Sequence, residues 1–171
     1  MPAALQTPNV LPQIQQGPGG TAEHGEPRTV YTGSSFDARE RIVPTELSLD
    51  QMKAFVREHF EDFVNRRNAS VIRKNMTPDF HDHDGPGGKP TGVEGDEQMM
   101  VAMYKAMPDL RVSIEDTVAE GDKVMCRNIW CWTDAASGVR MQFHGFVLWR
   151  FEGNRIAERW ATVTPPMKET T

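Results

Sequence analysis

The densest ionisable stretch of the chain is His81, Asp82, His83 and Asp84, two imidazoles alternating with two carboxylates. If the segment is extended, His81 and His83 point the same way. Asp84 or Asp82 beside them would then poise an imidazole, His83 before the others, as a general base near neutral pH. The same spacing could begin a metal site of His and carboxylate ligands, and it could equally cap and turn a polar surface loop; spacing alone leaves the three readings open. Arg159 is the second group with chemical reach. In a pocket, its guanidinium would orient a carboxylate or stabilise an enolate; at a strand end it would be solvated.

The apolar candidates are aromatic and sulfur-bearing. Trp130, Trp132, Trp149 and Trp160 fall on what read as adjacent strands, with Phe143 between them, and aromatic walls of this kind suit a flat hydrophobic ligand as well as an ordinary core. Met99, Met100, Met103 and Met107 recur at helical spacing, a core stripe whose adaptable side chains, Met103 among them, would also serve a pocket wall. The run from Gly85 to Gly92 is no phosphate loop, because His83 stands where the first glycine is needed and Pro90 follows Lys89. It reads as a flexible rim loop. His59 and His144 read as structural.

These groups need elements to hold them. Ser48, with Gln51 three residues on and Leu47 and Met52 as a hydrophobic staple, predicts a helix start. Met52, Phe55, Val56, Phe60, Phe63 and Val64 then continue an apolar stripe to about Arg67. A short second helix is expected to carry Val71, Ile72 and Met76 up to Thr77 and Pro78, and a third to run from about Gly95 to Met107, stopped by Pro108. After it, four antiparallel strands are expected: one from Leu110 through Val118, then Lys123 to Thr133, Val139 to Phe151 and Arg155 to Val163. The third is long enough to require a bend, for which Gly145 is the natural place. On that strand Met141, Phe143, Val147 and Trp149 share the inner face. Phe146 and Leu148 are apolar on the outer one, which suggests that a second subunit covers it.

Residues 1–44 are rich in Pro, Gly, Gln and Thr and show no periodicity, so they read as a mostly disordered arm, with Val30, Tyr31, Phe36, Ile42 and Val43 available to dock on a partner surface. Residues 45–165 form the domain and 166–171 a flexible tail. With 19 Lys and Arg against 24 Asp and Glu, the net charge of −5 opposes binding to nucleic acid or anionic lipid, and no stretch of the sequence is apolar enough to span a membrane. Cys126 and Cys131, five residues apart on one strand, would lie roughly 16 Å apart on opposite faces and cannot pair. A reducing, cytoplasmic setting is therefore expected.

Three segments carry a resemblance: PDFHDHDGPGG from Pro78, MPDLRVSIEDTVAEGDKV from Met107, and FHGFVLWRFEGNRIAERW from Phe143. Together with the order of elements, they resemble the SnoaL-like polyketide cyclases, or ester cyclases, of the nuclear transport factor 2-like superfamily. The resemblance implies an α+β cone, helices packed on a strongly curved antiparallel sheet that encloses one small-molecule pocket. It also implies a homodimer that needs neither metal nor organic cofactor, and intramolecular aldol closure of a hydrophobic carbonyl compound, with isomerisation or hydrolysis as related outcomes. His83 matches the histidine that the family carries at the mouth of the cone. The aspartate that serves the family as acid and base, and the histidine facing it, fall here on Ala161 and Val147, neither of which can transfer a proton. The expected pocket therefore combines His83, Asp84 and Arg159 as reacting groups with His81, Met103, Trp130, Trp132, Phe143, Val147, Trp149 and Ala161 around a small hydrophobic molecule. A binding or dimerisation module of the same shape is the alternative.

Overall fold

The computed structural model describes residues 46–169; the expected arm, residues 1–44, lies outside them. Helix α1 (Leu49–Phe60) begins on the expected capping box, in which the Gln51 amide donates to Ser48 Oγ and the Ser48 amide to Gln51 Oε1. Such a cap contributes about 1 kcal/mol. A π-helical turn (Glu61–Asn65) extends α1, and α2 (Ser70–Asn75) follows after a bend.

Two expectations fail next. Met76 does not belong to α2: it opens strand β1 (Met76–Gly85), so the His/Asp cluster sits in a sheet and not in a loop. Pro78 is tolerated there because the pairing with the neighbouring strand jumps from Met76–Ile156 to His81–Glu158, leaving a stretch with no ladder bond to lose. The Gly/Pro run is likewise not all loop, since its second half is a strand. Gly87 and Gly88 take left-handed φ values of 71° and 68°, which turn the chain so that β2 (Lys89–Thr91) folds back antiparallel on β1.

Helix α3 (Val93–Ala106) carries the methionine stripe, with Met100 and Met103 buried and Met99 and Met107 half-buried. Strands β3 (Arg111–Glu120), β4 (Lys123–Thr133), β5 (Arg140–Glu152) and β6 (Arg155–Val163) then run as the expected meander. Where a flexible tail was expected, Met167–Lys168 form a short strand, β7, against β5. The sheet order is β2-β1-β6-β5-β4-β3, antiparallel except for the β1–β6 pair, and the curved sheet stays open.

The concave face buries Val124, Cys126, Trp130, Phe143, Val147, Trp149 and Phe151 against Met52, Val56 and Phe60 of α1 and Met100 of α3. Burying that much aromatic and aliphatic surface is the main source of stability. Gly145 is explained by a neighbour: a Cβ there would lie 2.5 Å from Oδ1 of its cross-strand partner Asn128, so only glycine leaves room for that amide. A bulge between Ile114 and Asp116 reverses the alternation of β3, so that Val118, at the same parity as the buried Val112, ends 66% exposed on the convex side.

Candidate active site

One cavity of about 530 Å³ opens between the concave face of the sheet and the helices, inside the usual range for small-molecule sites. Strand alternation decides which residues reach it. On β1 the even positions face inward: Asp82 is fully buried and Asp84 lines the cavity. The odd positions face outward. His83 stacks on Trp160 with ring centroids 4.4 Å apart and pairs through Nε2 with Glu158 Oε2 at 2.8 Å, while His81 meets His83 edge to face. Trp160 is registered with the outward-facing Leu148, so this pair of histidines lies on the convex face, and neither lines the cavity. The sequence placed His81 and His83 in the pocket; β-strand parity places them on the other side of it.

Among the other expected residues, Arg159, Met103, Trp130, Phe143, Val147, Trp149 and Ala161 do line the cavity. Val147 and Ala161 are direct cross-strand partners, as expected for two positions meant to face each other. Trp132 stays out of the cavity and packs behind it, tilted against Phe143. The aromatic wall is built by Trp130 and Phe143, stacked at 5.6 Å and 15°, and by Phe60, edge-on to both Trp130 and Trp149.

The polar part of the wall is Arg159, paired with the buried Asp82 behind it, with a second acid beside the pair. Parallel pairing of β1 with β6 sets Asp82 opposite Arg159, whose Nη1 donates to Asp82 Oδ1 at 2.7 Å and Oδ2 at 2.6 Å. Asp82 Oδ1 also accepts the Asp84 amide, and Asp84 Oδ2 accepts the Ala161 amide at 2.8 Å, which holds the inner end of β1 to β6. The second acid is Asp96, in the first turn of α3, lining the cavity and 4% exposed. Burial pushes its carboxyl up to about 7; the charge of Asp82 and a hydrogen bond to that neighbour act in the same direction, and the Arg159 guanidinium opposes them.

His59, in the last turn of α1, also reaches the cavity, among Phe60, Phe63 and Trp149. It is 1% exposed, and burial drives its pKa down to about 3, so the ring is neutral; Arg159 lowers it further and Asp62 offsets part of the shift. Asp96 and His59 were not among the expected site residues, although both carry a periodic signal. Asp96 precedes Met99, Met100 and Met103 by three, four and seven positions, and His59 stands four from both Phe55 and Phe63. Among the described residues, no three His, Cys, Asp or Glu side chains gather as metal ligands would, and no helix is long and apolar enough to cross a membrane. Both cysteines are free, Cys126 buried and Cys131 half-buried.

A helix-backed, curved mixed sheet closing on one apolar cavity defines the nuclear transport factor 2-like cone. Within that class, the family model for SnoaL-like polyketide cyclases matches residues 54–163, and the chain belongs to that family. Among solved structures, AclR from Streptomyces galilaeus is 25% identical, with 68% of this chain and 91% of that one covered at a TM-score of 0.60. TsrD from Streptomyces laurentii is 21% identical, with 69% and 91% covered and a TM-score of 0.61. A SnoaL-like polyketide cyclase from Agrobacterium tumefaciens is 21% identical, with 69% and 92% covered and a TM-score of 0.56. No curated protein matches.

Proposed function

We propose that the chain catalyses proton transfer next to the carbonyl of a small, flat, hydrophobic compound, leading to ring closure or isomerisation, with Asp96 as the base. The observation that carries this reading is the carboxyl of Asp96, buried in the wall of an aromatic cavity, where burial pushes its pKa up to about 7. A general acid–base group works best when its pKa lies near the working pH, because both forms are then populated. The substrate's α-carbon loses its proton to the Asp96 carboxylate. The electron pair of that C–H bond moves to the carbonyl oxygen as an enolate, and the protonated Asp96 returns the proton at the new alkoxide or at carbon. Burial raises the Asp96 pKa, the neighbouring charge of Asp82 adds to it, and Arg159, paired with Asp82, opposes the rise.

Val147 and Ala161 support the reading that the family's usual acid–base pair is absent and that its work has moved to α3. They support a second reading as well, a binding module without turnover, since they line the cavity with methyl groups alone. Hydrogen–deuterium exchange of an enolisable aryl ketone, with and without Asp96→Asn, separates the two readings: exchange lost in the variant means catalysis, and binding without exchange means a module.

For assembly, the reading is a homodimer through the convex face. Val118, Met125, Leu148 and Trp160 are successive register partners across β3, β4, β5 and β6, and Phe146 beside them is 47% exposed. A contiguous apolar row of that kind needs a cover, and a second copy of the same row is self-complementary. The free cysteines fit a reducing, cytoplasmic location.

A further inference from the structure

Among the described residues, four buried side-chain polar atoms have no hydrogen-bond partner: His59 Nε2, Thr77 Oγ1, Asp96 Oδ1 and Trp149 Nε1. Three of them belong to residues that line the cavity. Buried polar groups are nearly always partnered, so such a cluster around one cavity marks where a ligand's own polar atoms belong. The Asp96 oxygen is accounted for by the proton transfer proposed above. The His59 nitrogen is not.

We infer that His59 Nε2–H is the hydrogen-bond donor that holds the carbonyl oxygen of the substrate and receives the negative charge of its enolate. This rests on the reading of the cavity as a site for carbonyl compounds. The tautomer follows from the partner of the other ring nitrogen. Asn75 Nδ2 lies 3.1 Å from His59 Nδ1, and an amide NH2 group can only donate, so Nδ1 must present its lone pair. A neutral imidazole with its lone pair on Nδ1 carries its proton on Nε2. That nitrogen is buried in the aromatic part of the wall and can donate but not accept. A ligand carbonyl or enolate oxygen satisfies it; a ligand hydroxyl that must donate does not.

The arrangement divides the reaction between two helices. Asp96, at the start of α3, takes the α-proton, while His59, at the end of α1, stabilises the oxygen on which the electron pair settles. A neutral imidazole is suited to this. It strengthens its hydrogen bond as the oxygen gains charge, without the desolvation cost of a buried cation. The substrate class narrows accordingly to aryl ketones that have an enolisable α-carbon and no hydroxyl at the His59 end.

The probe is 1-tetralone labelled with carbon-13 at its carbonyl, with tetralin as the analogue that lacks the oxygen. In the full chain labelled with nitrogen-15 at histidine, one ring should show the Nε2–H tautomer and stay neutral well below pH 5. Bound tetralone should show a downfield carbonyl shift in the wild type that is lost in His59→Phe, with affinity reduced roughly fivefold to tenfold, as expected for one hydrogen bond. His59→Gln, whose amide can donate, should regain part of both, and tetralin should bind all three proteins alike. Asp96→Asn should abolish α-proton exchange yet keep the carbonyl shift, so failure of the base and failure of the donor are read separately. Exchange by the wild type with an unchanged carbonyl shift in His59→Phe would overturn the donor role and leave the base standing. An Nδ1–H tautomer, or no binding of tetralone, would overturn the donor role outright. If His59→Phe does not fold, the tautomer and the His59→Gln comparison decide.

Discussion

Asp82 accepts two hydrogen bonds from a single nitrogen of Arg159, at 2.7 and 2.6 Å, and does so at zero exposure beneath the cavity-lining Arg159. The pair is the electrostatic hub of the cavity. It joins the pair of strands that, among the described residues, runs parallel, and its two charges act in opposite directions on Asp96.

Removing one partner should therefore cost more than removing both. Arg159→Met leaves a buried, uncompensated carboxylate and is expected to destabilise the fold by about 3 to 5 kcal/mol, whereas Arg159→Met combined with Asp82→Asn should recover most of that loss. Urea unfolding of the three proteins measures this. Equal losses in the single and double variants would mean that the ion pair carries no special role.

The stability profile against pH should be shaped by two opposed groups. Asp96 has its pKa raised from 3.8 to about 7, so the native state holds a proton that the unfolded chain releases, and stability falls as pH rises across that interval. His59 has its pKa lowered from 6.5 to about 3, so the unfolded chain takes up a proton that the native state refuses, and stability falls as pH drops across that interval. Between about pH 4 and 6.5 the two slopes largely cancel. Asp96→Asn should remove the loss on the alkaline side and expose the acid slope, and His59→Phe should do the reverse. Thermal midpoints from pH 3.5 to 8 give the test.

Assembly should depend on Phe146, 47% exposed beside the apolar row of the convex face. Phe146→Glu would place a carboxylate in that interface, at a cost of several kcal/mol if it is desolvated there. Sedimentation at micromolar concentration should show a dimer for the wild type and a monomer for the variant, with unchanged helix content. A monomeric wild type would remove the basis for the assembly.

Much of the architecture was legible because it rests on local signals. Ser48 and Gln51 mark a helix start, and the alternation from Lys123 to Val163 marks strands, whatever surrounds them. The membership of most wall residues followed from parity alone. What failed depended on partners distant in sequence. Strand β1 is strand because β6 offers it a parallel edge, which nothing near Pro78 announces; without that pairing, neither the histidines nor the aspartates of the cluster could be assigned to the inner face. The bulge that turns Val118 outward is equally invisible in an unbroken alternation. Asp96 and His59 were concealed differently. Each is a single polar residue in an apolar stripe, and only the buried neighbours that raise one pKa and lower the other distinguish it from an ordinary helix-end charge.

The role proposed for Asp96 is to remove a proton next to a ketone carbonyl. The direct measurement is the rate at which the α-protons of 1-tetralone exchange in deuterated buffer, followed by proton NMR from pH 5 to 9 with wild type and Asp96→Asn. The enzyme-dependent rate should rise through a midpoint near pH 7 as the Asp96 carboxyl ionises, and fall by at least about a hundredfold in the variant, the usual scale for losing a general base. A wild-type rate that Asp96→Asn leaves intact, or no exchange above buffer while tetralone binds, would contradict that role.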